Sequence, residues 1–223
     1  MSLLTLSVII PAYNEESTVA PVVQAALASP YRDEVIVVSD GSEDQTAFRA
    51  QAAGAQVIEL SENKGKGAAM LAGALAAHYP FLLFLDADLI GLRPEHLIRL
   101  AAPVIEGRAD MTVGIFEHGR SSTDLAQLVA PYLSGQRAIK KEIFLDVNEL
   151  EDSRYGVEIA LTRHFRHRSH LRLLEVILPG LTHRMKEEKL GLIEGVKARI
   201  RMYREIGSVF LERDMRGERD DIH

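Results

Sequence analysis

The 223-residue chain has no cysteine. That rules out a disulfide framework, a thiolate zinc site and thiol redox chemistry, and it fits a reducing compartment. Long apolar runs are equally scarce. None approaches the roughly 18 residues needed to cross a bilayer, and Met1 to Leu6 has neither the basic n-region nor the cleavage site of a signal peptide. A cytoplasmic protein without a nucleic-acid partner is the expectation. Basic charge is thin in the front of the chain: residues 1–162 hold 12 Lys and Arg against 22 Asp and Glu, whereas residues 163–223 hold 14 against 10. An acidic front attracts a metal ion and repels bare phosphate. The basic tail suits a solvated helix face, an anionic acceptor or a membrane surface.

With 47% hydrophobic and 26% charged residues, the chain can build one compact α/β domain with a C-terminal appendage. Apolar runs at Leu6–Pro11, Glu34–Ser39, Gln56–Leu60, Phe81–Leu85 and Met111–Ile115 read as strands. Helical patterns at Glu15–Ala28, Glu43–Ala53, Lys66–His78 and Pro94–Ile105 alternate with them, which predicts parallel strands joined by crossover helices. Start signals support the helices: Asn14 before Glu15 and Glu16, Ser42 at capping-box spacing from Gln45, and Pro94 in a first turn. Beyond Ile115 the pattern loosens. It predicts a polar loop over Glu117–Ser122, a helix over Leu125–Leu133, a loop or short strand entry at Gly135–Ala138, a helix over Tyr155–Phe165 and a strand over Leu171–Leu178. Residues 186–223 carry an amphipathic helix with Ile193, Val196, Ile200, Tyr203 and Phe210 on one side. Such a tail docks on the domain or on a second subunit, making a homodimer, or lies peripherally on a membrane.

The residues with chemistry fall at successive strand ends. Asp86-Ala87-Asp88 follows the run Phe81–Leu85, so both carboxylates emerge where open α/β sheets bind ligands. Mg²⁺ or Mn²⁺ is held by one or two carboxylates together with substrate phosphates, although such a pair also occurs as a solvated turn or a helix cap. The first strand ends in Pro11-Ala12-Tyr13-Asn14-Glu15, where Tyr13 offers a flat face to a base. The second ends in Ser39-Asp40-Gly41-Ser42, placing Asp40 at the same edge to accept from a base N–H or a ribose hydroxyl. The third is followed by Asn63-Lys64-Gly65-Lys66-Gly67, a cationic turn opening a helix, suited to a diphosphate. It lacks the third glycine of the dinucleotide fingerprint and has no Gly-Lys-Ser/Thr, so NAD binding and a Walker loop are disfavoured.

In this order the motifs resemble those of family 2 glycosyltransferases and their relatives of the GT-A fold. The resemblance is strong over roughly residues 5–115 and is carried by Ser7–Glu15, Ser39–Ser42, Lys64–Gly67 and Asp86–Asp88. It implies a GT-A (Rossmann-like) three-layer sandwich with a mostly parallel central sheet and a C-terminal helical tail. A domain over 1–185 would comprise a nucleotide-binding half, 1–115, and an acceptor half, 116–185. The site would take a nucleotide-diphosphate sugar, usually of uridine or guanosine. Pro11, Ala12, Tyr13 and Glu15 would line the base pocket, with Asp40, Lys64 and Gly65 on the nucleotide. Asp86 would approach ribose or metal, Ala87 would sit beside it, and Asp88 would ligate Mg²⁺ or Mn²⁺. One departure is visible: the family often has two aspartates before the Gly-Ser, and the first is here Ser39.

In the second half, Ser134-Gly135-Gln136-Arg137-Ala138 looks like the segment that family members place beside donor sugar and acceptor, with Gly135 lining it and Arg137 suited to an anionic group. Tyr155–Leu161 resembles a segment of polyprenyl-phosphate sugar transferases and glucosyl-3-phosphoglycerate synthases, in which Glu158 would contact sugar or acceptor. An acceptor hydroxyl attacking with inversion needs a base, for which Glu158 and Asp152 are the candidates. His183 resembles the further metal ligand of glucosyl-3-phosphoglycerate synthases. The expectation is therefore a metal-dependent hexosyltransferase using a UDP-sugar and a small phosphorylated acceptor such as 3-phosphoglycerate. The alternatives are a polyprenyl-phosphate sugar transferase with a lipid-phosphate acceptor, a sugar-phosphate nucleotidyltransferase, and a catalytically silent nucleotide-sugar-binding protein.

Overall fold

The computed structural model describes residues 6–31, 33–116, 134–147, 156–166 and 168–183. The loop expected over 117–122, the helix over 125–133, Asp152 and the tail over 186–223 lie outside these residues. Four strands, β1 (Leu6–Ala12), β2 (Val35–Asp40), β3 (Gln56–Leu60) and β4 (Phe81–Phe84), pair in parallel in the order β3-β2-β1-β4. The chain steps outward from β1 to β2 and β3, then returns to lay β4 on the other side of β1. Ligands bind at such a reversal, outside the carboxyl ends of the strands. Beyond β4 the sheet continues with β7 (Arg137–Lys140), antiparallel to both β4 and β6 (Met111–Phe116), and ends in β8 (Leu173–Leu178), parallel to β6. A separate two-stranded ribbon pairs β5 (Leu89–Ile90) with β9 (Thr182–His183).

Strand periodicity explains the three layers. Val8, Ile10, Val35, Val37, Leu83 and Leu85 point to one face, where they meet α1 (Val19–Leu27), α2 (Thr46–Ala52) and α4 (Pro94–Ile105). Ile9, Ile36, Val38, Leu82 and Phe84 point to the other, against α3 (Lys66–Ala76), the short α5 (Lys141–Leu145) and α6 (Val157–Arg166). Both faces of the central strands are covered, so these strands are apolar throughout, as parallel sheets require. Each fully buried Val, Ile or Leu contributes roughly 1.5–3 kcal/mol relative to exposure. Among the described residues, no helix is long and apolar enough to cross a membrane.

Two helices begin later than the sequence pattern predicts, and the reason is tertiary. The N–H groups of Asn14, Glu15 and Glu16 donate to Ser42 Oγ, Thr46 Oγ1 and Asp44 Oδ2 of the neighbouring turn, so α1 starts only at Val19. In return the N–H groups of Glu43 and Gln45 donate to Asn14 Oδ1 and Glu16 Oε2, and α2 starts at Thr46. Asn14 and Ser42 therefore do not cap helices; they lock the β1–α1 and β2–α2 turns together. Asn14 adopts a left-handed φ of 53° to do so, a region asparagine enters readily. Pro94 does occupy the first turn of α4.

Two buried carboxylates clamp the opposite end of the sheet. Glu34 accepts hydrogen bonds from the Ser7 hydroxyl and the His78 N–H, and its pKa stays below the ordinary range because these bonds outweigh the effect of burial. Asp110 does the same for β7 and β8, taking Lys140 Nζ at 2.8 Å and the Arg172 N–H at 3.0 Å. Burial acts to raise its pKa, but the bonds from Arg172 and Lys140 hold it well below the usual carboxylate range. Both lie at strand starts, away from the ligand-binding edge.

Candidate active site

At the carboxyl edge, the interlocked turns fix the residues expected at the base. Pro11 and Ala12 end β1, Tyr13 follows with 45% of its surface exposed, and Glu15 is half-buried, its carboxylate accepting from the Thr18 hydroxyl at 2.7 Å. Asp40, only 3% exposed, ends β2. Its two carboxylate oxygens accept the Lys64 and Gly65 N–H groups, each at 2.8 Å, so Asp40 holds the cationic turn in place while keeping lone pairs for a ligand. Lys64 itself is exposed, with its ammonium 3.9 Å from Glu62. Gly41 has a φ of +65° and lies against the backbone of Glu62 and Asn63, an approach that a Cβ would block.

The lysine that reaches the centre is Lys66. It opens α3, and its Nζ lies 2.5 Å from Asp86 Oδ1 and 2.5 Å from Glu158 Oε1. Asp86 comes from the end of β4 and Glu158 from the first turn of α6, so one ammonium ties together two carboxylates distant in sequence. Burial disfavours the charged form of Lys66, but the two carboxylates outweigh it and hold its pKa above the ordinary lysine value. For Asp86, burial acts upward, while the Lys66 and His183 charges and the bonds from Lys66 and Gln136 act downward and bring the pKa to about 2. Gly135 packs directly over this pair: a Cβ there would overlap the Asp86 carboxylate and come within 2.6 Å of Lys66 Nζ.

The β5–β9 ribbon brings His183 opposite Leu89, next in sequence to Asp88. His183 Nδ1 is 3.5 Å from Asp88 Oδ1 and 4.0 Å from Asp86 Oδ2, and one ligand atom from each residue falls within 4.8 Å of the others. An octahedral Mg²⁺ or Mn²⁺ with bonds of ~2.1 Å separates adjacent donors by ~3.0 Å and opposite donors by ~4.2 Å. The two His183 distances fall inside that range, so these three side chains fit a divalent ion. The imidazole suits manganese better than magnesium. Asp86 already accepts from Lys66 and from Gln136 Nε2, the latter at 2.7 Å, which makes Asp88 and His183 the better placed pair. The Phe116 ring meets His183 edge-on at 4.6 Å and orients the imidazole.

Arg137, expected to meet an anionic group, is instead fully buried. Its Nε donates to Ser134 O at 2.9 Å and its Nη1 to Thr162 Oγ1 at 3.0 Å, beneath the site rather than in it. Burial lowers its pKa, and the Glu158 and Asp86 charges oppose that shift. Ala87 is buried between the two aspartates. The structure thus gathers Asp86, Asp88, His183, Glu158 and Gly135 in one place, with Asp40 and Tyr13 on the adjoining strand ends. Lys66 and Gln136 were not expected there. Lys66 was legible, because Lys66, Ala69, Met70 and Gly73 recur at helical spacing and the last three are buried. Gln136 lies in the segment expected beside the donor sugar, but nothing in the sequence singles out its side chain.

Comparison with known proteins agrees with this arrangement. The model of glycosyl transferase family 2 matches residues 7–165. The glucosyl-3-phosphoglycerate synthase of Mycobacterium tuberculosis is 35% identical over 121 residues, which cover 50% of this chain and 37% of that protein. The dodecaprenyl-phosphate galacturonate synthase of Rhizobium johnstonii is 32% identical over 146 residues, covering 60% of this chain and 43% of that protein. The chain thus spans less than half the length of these relatives. A crystal structure of the Mycobacterium tuberculosis synthase in complex with Mn²⁺, uridine-diphosphate-glucose and phosphoglyceric acid superposes with a TM-score of 0.71 at 30% identity, covering 84% of this chain and 74% of that one. The three-layer arrangement is that of the GT-A fold, and the chain belongs to glycosyl transferase family 2.

Proposed function

We propose that the chain transfers a hexose from a UDP-sugar to a small phosphorylated acceptor of the 3-phosphoglycerate kind. The observation that carries this reading is the cluster at the strand reversal: Asp88 and His183 at metal-ligand spacing, beside Asp86 and Glu158 joined through Lys66. The base and ribose of the donor would lie over Pro11, Ala12, Tyr13 and Glu15, with Asp40, Lys64 and Gly65 closing the far side. Asp88 and His183 would hold Mn²⁺ or Mg²⁺, with Asp86 adjoining. When bound, the ion supplies Lewis-acid compensation for charge on the departing diphosphate.

The chain's own groups do the rest. Lys66 offers a positive charge beside the donor and, through its bond to Oε1, holds Glu158 aimed at the sugar or acceptor hydroxyl. Gly135, having no side chain, lets Asp86 and Lys66 close up against its backbone. Glu158 and Asp152 are the candidates for accepting the acceptor's proton if the attack is direct. The test is incubation with UDP-glucose, Mn²⁺ and 3-phosphoglycerate, with GDP-sugars in parallel, followed by mass spectrometry of the products. A phosphorylated glucoside supports the reading, and donor left intact in every combination overturns it.

A second reading has its own support. The dodecaprenyl-phosphate enzyme matches a larger share of this chain than the phosphoglycerate enzyme does, and the end of the chain is basic. A lipid-phosphate acceptor at a membrane surface would use the same donor site. Sedimentation with anionic vesicles at physiological salt separates the two: lack of binding counts against the lipid acceptor.

A further inference from the structure

We propose that Gln136 and Arg137 are positioning residues that hold Asp86 and Glu158 at the separation spanned by the single ammonium of Lys66. The inference rests on the donor-site reading above and adds to it a buried brace. Both side chains are 0% exposed, and their hydrogen bonds run to protein groups. Each leads to a site carboxylate through directional hydrogen bonds.

The Gln136 amide is used at both ends. Its Nε2 donates to Asp86 Oδ2 at 2.7 Å, and its Oε1 accepts the Ser134 hydroxyl at 3.0 Å. An ionised Asp86 only accepts, so the amide orientation is fixed, and a side chain without a donor at this position would leave one carboxylate oxygen without its buried partner. With Lys66 on Oδ1 and Gln136 on Oδ2, the plane of the Asp86 carboxylate is set from two sides.

Arg137 ties the same loop to the other carboxylate. Its Nε donates to the carbonyl of Ser134, the residue whose hydroxyl orients Gln136. Its Nη1 donates to Thr162 Oγ1, which in turn donates to the Glu158 carbonyl at 2.8 Å and so pins the first turn of α6. The guanidinium is buried in full, and the two carboxylates whose charges favour it are Glu158 and Asp86 themselves. Two cations, Lys66 and Arg137, thus face two anions, Asp86 and Glu158. The brace enforces the geometry from below while Lys66 enforces it from above, an arrangement of supporting residues that typically matters 10–100-fold for metal affinity or activity.

The test uses the full chain with Gln136→Met, Thr162→Val and Thr162→Ser. Calorimetry of UDP with Mn²⁺ reads the Asp86 side, and transfer from UDP-glucose to 3-phosphoglycerate reads the Glu158 side. Gln136→Met is expected to weaken Mn²⁺-dependent UDP binding about tenfold or more. Thr162→Val is expected to leave that dissociation constant within about twofold and to lower kcat by about tenfold, with Thr162→Ser, which keeps the hydroxyl, restoring it. Gln136→Met with wild-type UDP affinity overturns the proposal, as does Thr162→Ser failing to restore what Thr162→Val loses. A wild type that binds no UDP with Mn²⁺ overturns the donor-site reading instead. If the wild type binds UDP but does not use 3-phosphoglycerate, the acceptor assignment fails and the Gln136 arm alone decides the brace.

Discussion

Lys66→Met is the most informative single perturbation of the site. Methionine keeps most of the length and apolar stem of lysine and removes the charge, so Asp86 and Glu158, with side chains 17% and 12% exposed, are left facing one another. Removing one partner of a buried ion pair costs roughly 3–5 kcal/mol. Lys66 retains 28% exposure, which places the expectation at the lower end, about 3 kcal/mol at pH 7. Each kcal/mol moves Tm by roughly 2–4 °C in a domain of this size, so a fall of roughly 6–12 °C is expected. The pH dependence is more discriminating. In the wild type the Asp86 pKa lies at about 2, below its ordinary 3.8. A depressed carboxylate contributes stability that is fully present above its unfolded pKa and is lost as pH falls through the folded value. The wild type therefore keeps this contribution at pH 7 and pH 5 alike. In the variant the sign reverses, because burial and the facing Glu158 both favour the protonated acid, and the variant regains relative stability as pH falls. Urea unfolding at both pH values, with m unchanged, measures the gap. It should shrink by about 1 kcal/mol or more between pH 7 and pH 5. A variant as stable as wild type at pH 7, or a gap equal at both pH values, refutes the reasoning.

Three further outcomes are expected. A ligand at a hundredfold excess over its dissociation constant stabilises by about 2.7 kcal/mol, or roughly 5–11 °C in Tm; UDP with Mn²⁺ should give such a shift in the wild type and none in Asp88→Ala, and an equal shift in the variant removes Asp88 from the metal site. Gly135→Ala drives a methyl group into the Asp86 carboxylate, so sugar transfer should fall about tenfold or more; wild-type rates would mean that the close approach has no consequence. Gly41→Ala places a side chain at a φ of +65° against the Glu62–Asn63 backbone, at a cost of roughly 1–3 kcal/mol from the backbone conformation alone. Thermal unfolding checks it, and an unchanged Tm contradicts it.

Strand positions and their parallel connection through crossover helices were readable because the core strands are apolar on both faces and end in abrupt polar turns. Phe81–Leu85 read as a buried strand, and the two aspartates after it as a ligand edge only in company with the motifs at the neighbouring strand ends, since such a pair also occurs as a turn or a cap. The start of α1 was not readable. Asn14, Ser42, Asp44 and Thr46 are all side chains that cap helices, and sequence spacing cannot tell whether their oxygens serve their own helix or the adjacent turn. Here Asn14, Ser42 and Thr46 serve the adjacent turn while Asp44 serves both, its Oδ2 taking the Glu16 N–H and its Oδ1 the Thr46 N–H, which delays α1 and α2 and makes one hydrogen-bonded rim beside Asp40. The ribbon that delivers His183 was also beyond reach, since two-residue strands carry no period. Its histidine was identified by resemblance alone. Lys64 was placed on the nucleotide by the family resemblance, and helical phase adds Lys66, two positions on, as the inward-facing cation.

The placement of charge bears on why the proposed donor would need a metal. Lys66 and Arg137 are matched by Asp86 and Glu158, so the centre of the site is already neutralised from within. Asp88 adds a further carboxylate at the rim, and the first 162 residues carry ten more acidic than basic side chains. A diphosphate approaching this edge alone meets a repulsive field and finds Lys66 engaged on both sides. A divalent cation between Asp88 and His183 would reverse the local sign where the diphosphate must lie. On this reasoning UDP affinity should rise steeply with Mn²⁺ concentration in the wild type. In Asp88→Asn, which keeps the shape and removes the charge, the affinity without metal should rise rather than fall. Calorimetric titration of both proteins with and without Mn²⁺ measures the two effects, and an Asp88→Asn variant that binds metal-free UDP more weakly than wild type would show that repulsion at the rim is not what makes the metal necessary.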